Sequence, residues 1–371
     1  ANIGLQYQLF KGMSFDVRYN YQRQQTNTDN IADLQSYYTR NLINDFSQVD
    51  YNTGIINYIV PSGAILSRNQ SVVQAHNGRA QFSYNNNFGG SFENHSLSVI
   101  AGAELRQTRI TGNGQTLYGY DENILTTGTV DYKTAYPTFS GALSYIPDGI
   151  SLSESLNRYV SFYGNASWTL KGKYTLSGSA RRDASNLFGV STNDKWKPFW
   201  SGGAAWNIAS ENFYHALWLP QLRLRTSFGY SGTVDPSKSA VTVLETVGNN
   251  RFSGLPGLRV AQFANSALRW EKVATTNIGL DFALKNARLS GTIEWYNKKG
   301  IDLFGPSPVD YTAGLASKTI VRNIADMQAR GMDINLNWRI FDKKFRWNTG
   351  FLLSLYRDKT TSYYMPEGAI Y

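Results

Sequence analysis

Two successive hairpins between residues 159 and 230 constrain the fold more than any other stretch of the chain. In residues 159–170 apolar side chains occupy the even positions and mostly polar side chains occupy the odd ones. A period of two gives a β-strand one apolar and one polar face. Lys171-Gly172 supplies a tight turn, because glycine tolerates positive φ, and residues 174–181 return with the same alternation. Strands of about ten residues with two such faces are typical of a transmembrane β-barrel.

The same alternation recurs along the rest of the chain and predicts about twelve strands. The connections alternate between short turns and long polar segments. The long segments are about 24–73, 108–157, 184–198, 231–269 and 299–328. In outer-membrane barrels the short turns face the periplasm and the long loops face outside. We therefore predict one all-β segment over residues 1–371, an antiparallel transmembrane β-barrel arc, in preference to a soluble β-sandwich or propeller.

Composition supports a wall with one face in lipid. Aromatic residues make up 14% of the chain, with 24 Tyr and 9 Trp, although hydrophobic residues reach only 42%. The amphipathic rings of Tyr and Trp favour the headgroup level of a membrane. The net charge is +9, but the basic residues are dispersed through turns and alternating positions. They indicate a solvated surface or contact with anionic lipid, and not nucleic-acid binding.

The sequence contains no catalytic, metal-binding or cofactor-binding constellation. There is no cysteine, and the three histidines are scattered, so we predict no metal site. His95, close to Ser96 and Ser98, is the one candidate for a hydrolase on a strand. We interpret it as a wall residue, and we predict no catalytic residue and no cofactor.

Four motifs in fixed order resemble the SusC/RagA-type TonB-dependent transporters of Gram-negative outer membranes. Residues 182–189 read RDASNLFG and are followed by Trp196, Phe199, Trp206 and a Glu-x-Phe at 211–213. Residues 222–232 read LRLRTSFGYSG. Residues 268–271 read LRWE and precede TNIGLDF at 276–282. Residues 323–333 read NIADMQARGMD. Together they cover roughly residues 180–335; mild departures include Ala184 and Trp200, where the family commonly has glycine and proline.

The resemblance implies an outer-membrane barrel of about 22 strands closed around a plug. This chain would then be a middle arc, because a plug, a TonB box and the final strands are not among its motifs. The implied function is active import of oligosaccharides or peptides, with a SusD-like surface lipoprotein as lid and TonB acting through the plug. Two alternatives stay open: a passive outer-membrane porin, and an outer-membrane enzyme.

Two sets of residues are candidates for contact with solute or plug. The charges predicted on the lumen-facing side are Arg181, Arg223, Arg225, Asp281, Arg288, Glu294, Asp333 and Arg339. Cross-strand ion pairs and plug contacts are the favoured interpretation of these charges, and a polar path for solute is the other. The aromatic candidates in loops are Tyr37, Tyr38, Tyr51, Tyr118, Tyr120 and Trp196. Such rings stack on sugar faces or pack on peptides, although packing within the loops themselves would also account for most of them.

Overall fold

A computed structural model describes residues 1–89, 95–186, 197–233, 242–249, 255–265, 267–310, 312, 319–342 and 344–364. In chain order its strands are β1 Asn2–Phe10, β2 Met13–Ala32, β3 Ser47–Val49, β4 Ile56–Tyr58, β5 Ala64–Phe88, β6 His95–Tyr120, β7 Tyr136–Pro137, β8 Leu143–Ser144, β9 Ser151–Leu170, β10 Tyr174–Ser185, β11 Lys197–Asn207, β12 Gln221–Thr233, β13 Val243–Asn249, β14 Pro256–Gln262, β15 Glu271–Ala283, β16 Leu289–Pro308, β17 Thr319–Asp342 and β18 Arg346–Tyr363. One α-helix, α1, covers Tyr37–Asp45. Among the described residues, no helix is long and apolar enough to cross a bilayer.

Twelve of these strands form one sheet, in the order β1-β2-β5-β6-β9-β10-β11-β12-β15-β16-β17-β18. From β9 onward every neighbouring pair in this order is antiparallel. The register keeps polar positions in line: Arg225 of β12 lies opposite Gly279 of β15, which lies opposite Glu294 of β16. The prediction of an all-β antiparallel wall of about twelve strands is therefore confirmed.

The strands are longer than the alternation predicts. β5 has 25 residues and β6 has 26, so strand structure extends into the segments predicted as loops at 24–73 and 108–157. Ion pairs join these extensions: Arg68 Nη2 lies 2.9 Å from Asp29 Oδ2, and Arg109 Nε lies 2.8 Å from Glu154 Oε1. Strands that stand in water on both faces need no apolar stripe, so hydropathy does not reveal them.

The described residues divide into two compact units. The first contains Ala1 and residues 20–76 and 107–156, and the second contains residues 2–19, 77–106 and 157–371. The first unit has its own core of Ile43, Phe46, Val60, Ile65, Tyr118 and Ile146. Helix α1 contributes Ile43 to this core, and its N-cap Ser36 accepts a hydrogen bond from the Thr39 N–H at 3.2 Å. The sequence did not predict α1, because its mixed polar composition has too few apolar positions to show a helical period.

Candidate functional site

Arg225 is the centre of an ion-pair network on the polar face of the second unit. Its Nε lies 2.8 Å from Asp281 Oδ2, and its Nη2 lies 2.9 Å from Asp281 Oδ1 and 2.6 Å from Glu294 Oε1. Glu294 is two strands away from Arg225, and the guanidinium reaches it across Gly279. A Cβ on Gly279 would lie 3.1 Å from Arg225 Nη2. The glycine therefore leaves the space through which the guanidinium crosses β15.

Arg181 forms a second network on the same face. Its Nε lies 2.8 Å from Asp183 Oδ1 on its own strand. Its Nη2 lies 2.8 Å from Ser161 Oγ on β9 and 3.4 Å from Glu104 Oε2 on β6. The guanidinium also lies 5.9 Å from the ring centroid of Tyr163. Like Arg225, Arg181 is thus satisfied within the wall by carboxylates, and it links three strands.

Two tyrosines on the polar face also lie over glycines. The Tyr163 hydroxyl donates to Gln81 Oε1 at 2.9 Å, and a Cβ on Gly102, in the strand between them, would lie 2.7 Å from that hydroxyl. The ring of Tyr296 covers Gly331 of β17 in the same way. A pattern of glycines crossed by long side chains therefore braces the polar face.

The other charged residues predicted on the polar face do not lie together in one site. Arg223 is exposed and makes no ion pair within the described residues, whereas Asp333 is half-buried on the row that contains Glu294. Arg339 pairs with Asp342 at 3.0 Å near the end of β17. Arg288 lies in the turn before β16, as the C-cap of a 3₁₀ turn at Lys285–Ala287, and not in the strand where the alternation placed it. Positive φ angles of 61° at Asn286 and 50° at Ala287 extend the turn, so β16 begins at Leu289, later than the alternation predicts.

Three of the loop aromatics are exposed in the first unit. Tyr37, Tyr38 and Tyr51 have exposed fractions of 78%, 54% and 89%. Tyr120, the last residue of β6, is half-buried. The three exposed rings are therefore free to meet a ligand from solvent.

Tyr118 has a different environment. It is 1% exposed, and its hydroxyl donates to the Pro147 carbonyl at 2.6 Å. Its ring packs in the core of the first unit and does not face solvent, so we do not retain it as a contact candidate. Trp196 lies outside the described residues.

Trp206 and the Glu-x-Phe motif form a hydrogen-bonded cluster around Glu211 in the connection after β11, which we call the Glu211 latch. Glu211 accepts hydrogen bonds from the Tyr174 hydroxyl, from Lys173 Nζ at 2.9 Å and from Trp206 Nε1 at 3.0 Å. Phe213 packs edge-on against Trp206, with ring centroids 6.3 Å apart. These bonds, with that from Tyr174 the largest contribution, lower the pKa of Glu211 to about 2. The sequence marked these residues as a motif but gave no sign that they meet.

We expect this latch to weaken in acid. Because folding lowers the pKa of Glu211, its contribution to stability is complete above the ordinary glutamate pKa of about 4.3. It is lost as the pH falls from there through about 2, where the folded carboxylate takes up a proton. The fluorescence of the tryptophans and amide exchange in residues 208–214 should therefore change between about pH 4 and pH 2. Glu211→Gln should remove the pH dependence of exchange in this connection; an unchanged profile would contradict the assignment.

The LRWE and NIADMQARGMD motifs meet in a second cluster, at the other ends of β15–β17. Leu268 and Trp270 are 1% and 4% exposed and pack with Phe199. Asn323 Oδ1 accepts from the Arg269 N–H at 2.9 Å, and its Nδ2 donates to the Arg269 carbonyl at 2.9 Å. The Asn323 side-chain amide therefore supplies the hydrogen bonds that the backbone of a neighbouring strand would otherwise form with Arg269.

A bulge in β16 completes this motif cluster. The register with β17 shifts on both sides of Leu303, and Asp302 has a φ of 60°. Arg269 Nη2 holds the Asp302 carboxylate at 2.7 Å, while Glu271 Oε1 accepts the Phe304 N–H at 2.7 Å. The motif residues thus hold an irregular wall segment in place by side-chain bonds to backbone.

The described residues contain no cluster of metal ligands. In the described ranges no three His, Asp or Glu side chains come together as metal ligands would. The ring of His95 stacks on Trp168, with centroids 5.8 Å apart and planes 8° apart. This packing agrees with its interpretation as a wall residue.

Comparison with known proteins identifies the family. Residues 2–368 match the family model described as "TonB dependent receptor-like, beta-barrel". TonB-dependent receptor P3 of Formosa agariphila is 29% identical over 77% of this chain and 27% of its own length. TonB-dependent receptor SusC of Bacteroides thetaiotaomicron is 27% identical over 55% of this chain and 21% of its own length. This chain therefore spans about a quarter of the curated relatives that it matches.

The solved structure of the RagAB peptide transporter has the same fold over 98% of this chain and 36% of the matched chain. Its TM-score is 0.77 at 19% identity. The twelve-stranded sheet thus corresponds to part of a TonB-dependent receptor barrel, and the resemblance to the SusC/RagA type is confirmed. The family consists of outer-membrane transporters and not of enzymes. The chain belongs to the TonB-dependent receptor-like β-barrel family, of which it contains barrel strands.

Proposed function

We propose that this chain forms part of the barrel wall and capture loops of a TonB-dependent importer of oligosaccharides or peptides. The observation that carries the proposal is the family match over residues 2–368. The names of two similar proteins support it, since one is SusC and the other is a peptide transporter. A SusD-like lipoprotein over the loops and TonB at the periplasmic side are the proposed partners.

The wall and the loops have separate roles in this proposal. Arg181 and Arg225 are neutralised by carboxylates of the wall, so they act as scaffold and carry no solute charge. Arg223, which is exposed and makes no ion pair in the described part of the chain, is the polar-face charge best placed to meet solute or plug. Tyr37 and Tyr51 are the proposed capture residues, because their rings are the most exposed of the loop candidates.

Uptake in cells tests the proposal. The gene for the full-length protein is deleted and restored, and uptake of labelled oligosaccharide and labelled peptide mixtures is measured with and without a protonophore. We expect uptake of one of the two classes to require both the protein and the energised membrane. Uptake that persists without energy would contradict active import and favour a passive porin, and uptake of neither class would contradict the proposed substrates.

Tyrosine variants test the capture loops in the same assay. Loss of a stacked ring costs about 1 kcal/mol, or about fivefold, so Tyr37→Ala with Tyr51→Ala should weaken uptake at limiting substrate by about thirtyfold. Tyr145→Ala is the matched control, because Tyr145 is another exposed tyrosine of the first unit, with 60% exposure. Surface abundance should be equal in all variants. Equal uptake by the double variant and the control would remove these tyrosines from the proposed site.

A further inference from the structure

Basic side chains gather on the outward face of β16–β18, beside the apolar band. On this face Asn297, Arg330 and Arg357 lie opposite one another on successive strands. The next row, two residues farther along, contains Lys299, Gln328 and Lys359. We call Lys299, Arg330, Arg357 and Lys359 the outer basic patch. All four are exposed.

The register places this patch at one edge of the membrane. The row on its other side contains Ile278, Trp295, Met332 and Leu355, and apolar residues continue from there toward the short turns. A tryptophan beside a polar row marks the lipid–water interface of a transmembrane barrel. The patch lies farther along the strands from the short turns, which face the periplasm, than the apolar rows do. It is therefore at the level of the outer-leaflet headgroups.

Within the described residues, no carboxylate forms an ion pair with the patch. At the outward positions of 272–282, 289–299, 328–338 and 347–359 there is no Asp or Glu. Arg330 Nε donates to Asn297 Oδ1 at 3.3 Å, and Arg330 Nη2 donates at 3.0 Å to the Gln328 side-chain oxygen in the amide orientation that satisfies both groups. Both partners are neutral amides, and within the described residues none of the four basic side chains forms an ion pair. Arg330 and Arg357 are direct cross-strand partners, and like charges in that position repel each other. An anion bound between Arg330 and Arg357 would relieve this repulsion.

We propose that the outer basic patch binds the phosphate groups of an anionic glycolipid in the outer leaflet. Adjacent strands are about 4.8 Å apart and alternate residues about 7 Å apart, so four cations surround an area of phosphate size. Arginine forms paired hydrogen bonds to phosphate, and the acyl chains of the same lipid lie on the apolar band beneath. The patch is separate from the polar face, so this inference does not depend on which solute the barrel imports.

Lipid binding by the full-length protein in neutral detergent tests the inference. Bisphosphorylated lipid A is titrated against the purified protein by native mass spectrometry, with dephosphorylated lipid A as the comparison. A basic residue at a membrane surface contributes about fivefold in affinity, so Arg330→Gln with Arg357→Gln should raise the Kd for lipid A about thirtyfold. The dephosphorylated lipid should bind both proteins equally and weakly.

Two adjacent lysines provide a matched control. Lys299→Gln should weaken lipid A binding about fivefold. Lys298→Gln makes the same change of charge on the opposite face of the strand, where Lys298 Nζ lies 5.0 Å from the Tyr296 ring centroid, and should leave the Kd within twofold. Equal effects of the two variants, or equally tight binding of the dephosphorylated lipid, would overturn the proposal. Displacement of lipid A by millimolar inorganic phosphate would assign the patch to free phosphate and also overturn it.

Thermal stability gives an independent reading if a variant folds poorly in cells. Without added lipid, Arg357→Gln should raise the melting temperature of the refolded barrel, because it removes the repulsion of Arg330. With saturating lipid A the order should reverse, since the original protein gains more from the bound lipid. A melting temperature that is lower for the variant in both conditions would contradict an anion site at this pair.

Discussion

Trp270→Ala is expected to lower the free energy of unfolding of the barrel by about 3–5 kcal/mol, the usual cost of removing a buried tryptophan. Trp270 is 4% exposed and lies 6.0 Å, between ring centroids, from Phe199. Its loss would leave a cavity beside Leu268 at the point where β16 is irregular. Denaturant unfolding of the refolded full-length protein in detergent measures the effect. Amide exchange should rise first in residues 303–308 and 319–324.

Trp338→Ala is the control for this prediction. Trp338 is 55% exposed on the outward face of β17, so detergent fills the space left by its side chain. Its replacement should cost less than about 1 kcal/mol. Equal losses in the two variants would show that the motif cluster adds nothing to stability beyond the burial of one aromatic ring in the wall.

Arg225→Met is expected to destabilise the barrel by about 2–3 kcal/mol. The substitution removes the cation that Asp281 and Glu294 share. Removing one partner of a fully buried pair costs about 3–5 kcal/mol, and here each side chain is about one-third exposed, which reduces the effect. The unfolding midpoint in detergent, measured at neutral pH, provides the test.

Arg223→Met provides the comparison for Arg225. The two arginines share a strand and a face, but Arg223 is exposed and makes no ion pair in the described ranges, so its loss should cost less than about 0.5 kcal/mol. Equal losses of stability in Arg225→Met and Arg223→Met would contradict the role given to the ion pairs.

The wall could be predicted from sequence because lipid and lumen impose opposite demands on alternating positions. Residues 159–170 and 174–181 show this directly, and their pairing in β9 and β10 follows the predicted hairpin. The requirement for alternating apolar and polar side chains applies only where the wall crosses lipid. Beyond it, β5 and β6 continue as strands with polar residues on both faces, and α1 forms with few apolar residues, so neither could be detected by period.

The sequence could predict which charged residues share the polar face, but not which of them are in contact. The alternation placed Arg225, Asp281 and Glu294 on one face, yet the contact between Arg225 and Glu294 depends on the register of three strands and on Gly279. The motif residues were recognised as family markers, whereas the structure gives them packing roles at the Glu211 latch and the Trp270 cluster. An apolar Leu-x-Trp at the end of a Gly- and Asn-rich loop was the one signal that could have indicated burial.

The glycines crossed by long side chains have a mechanical consequence. Backbone hydrogen bonds resist the separation of neighbouring strands, but they resist sliding along the strand direction less, because one set of partners can exchange for the next. Arg225 over Gly279 and Tyr163 over Gly102 each tie together strands that are not neighbours. Sliding of β12 relative to β16, or of β9 relative to β5, would therefore strain one of these side-chain contacts as well as the backbone hydrogen bonds. The wall should therefore resist a change of strand register when a force acts along the strands.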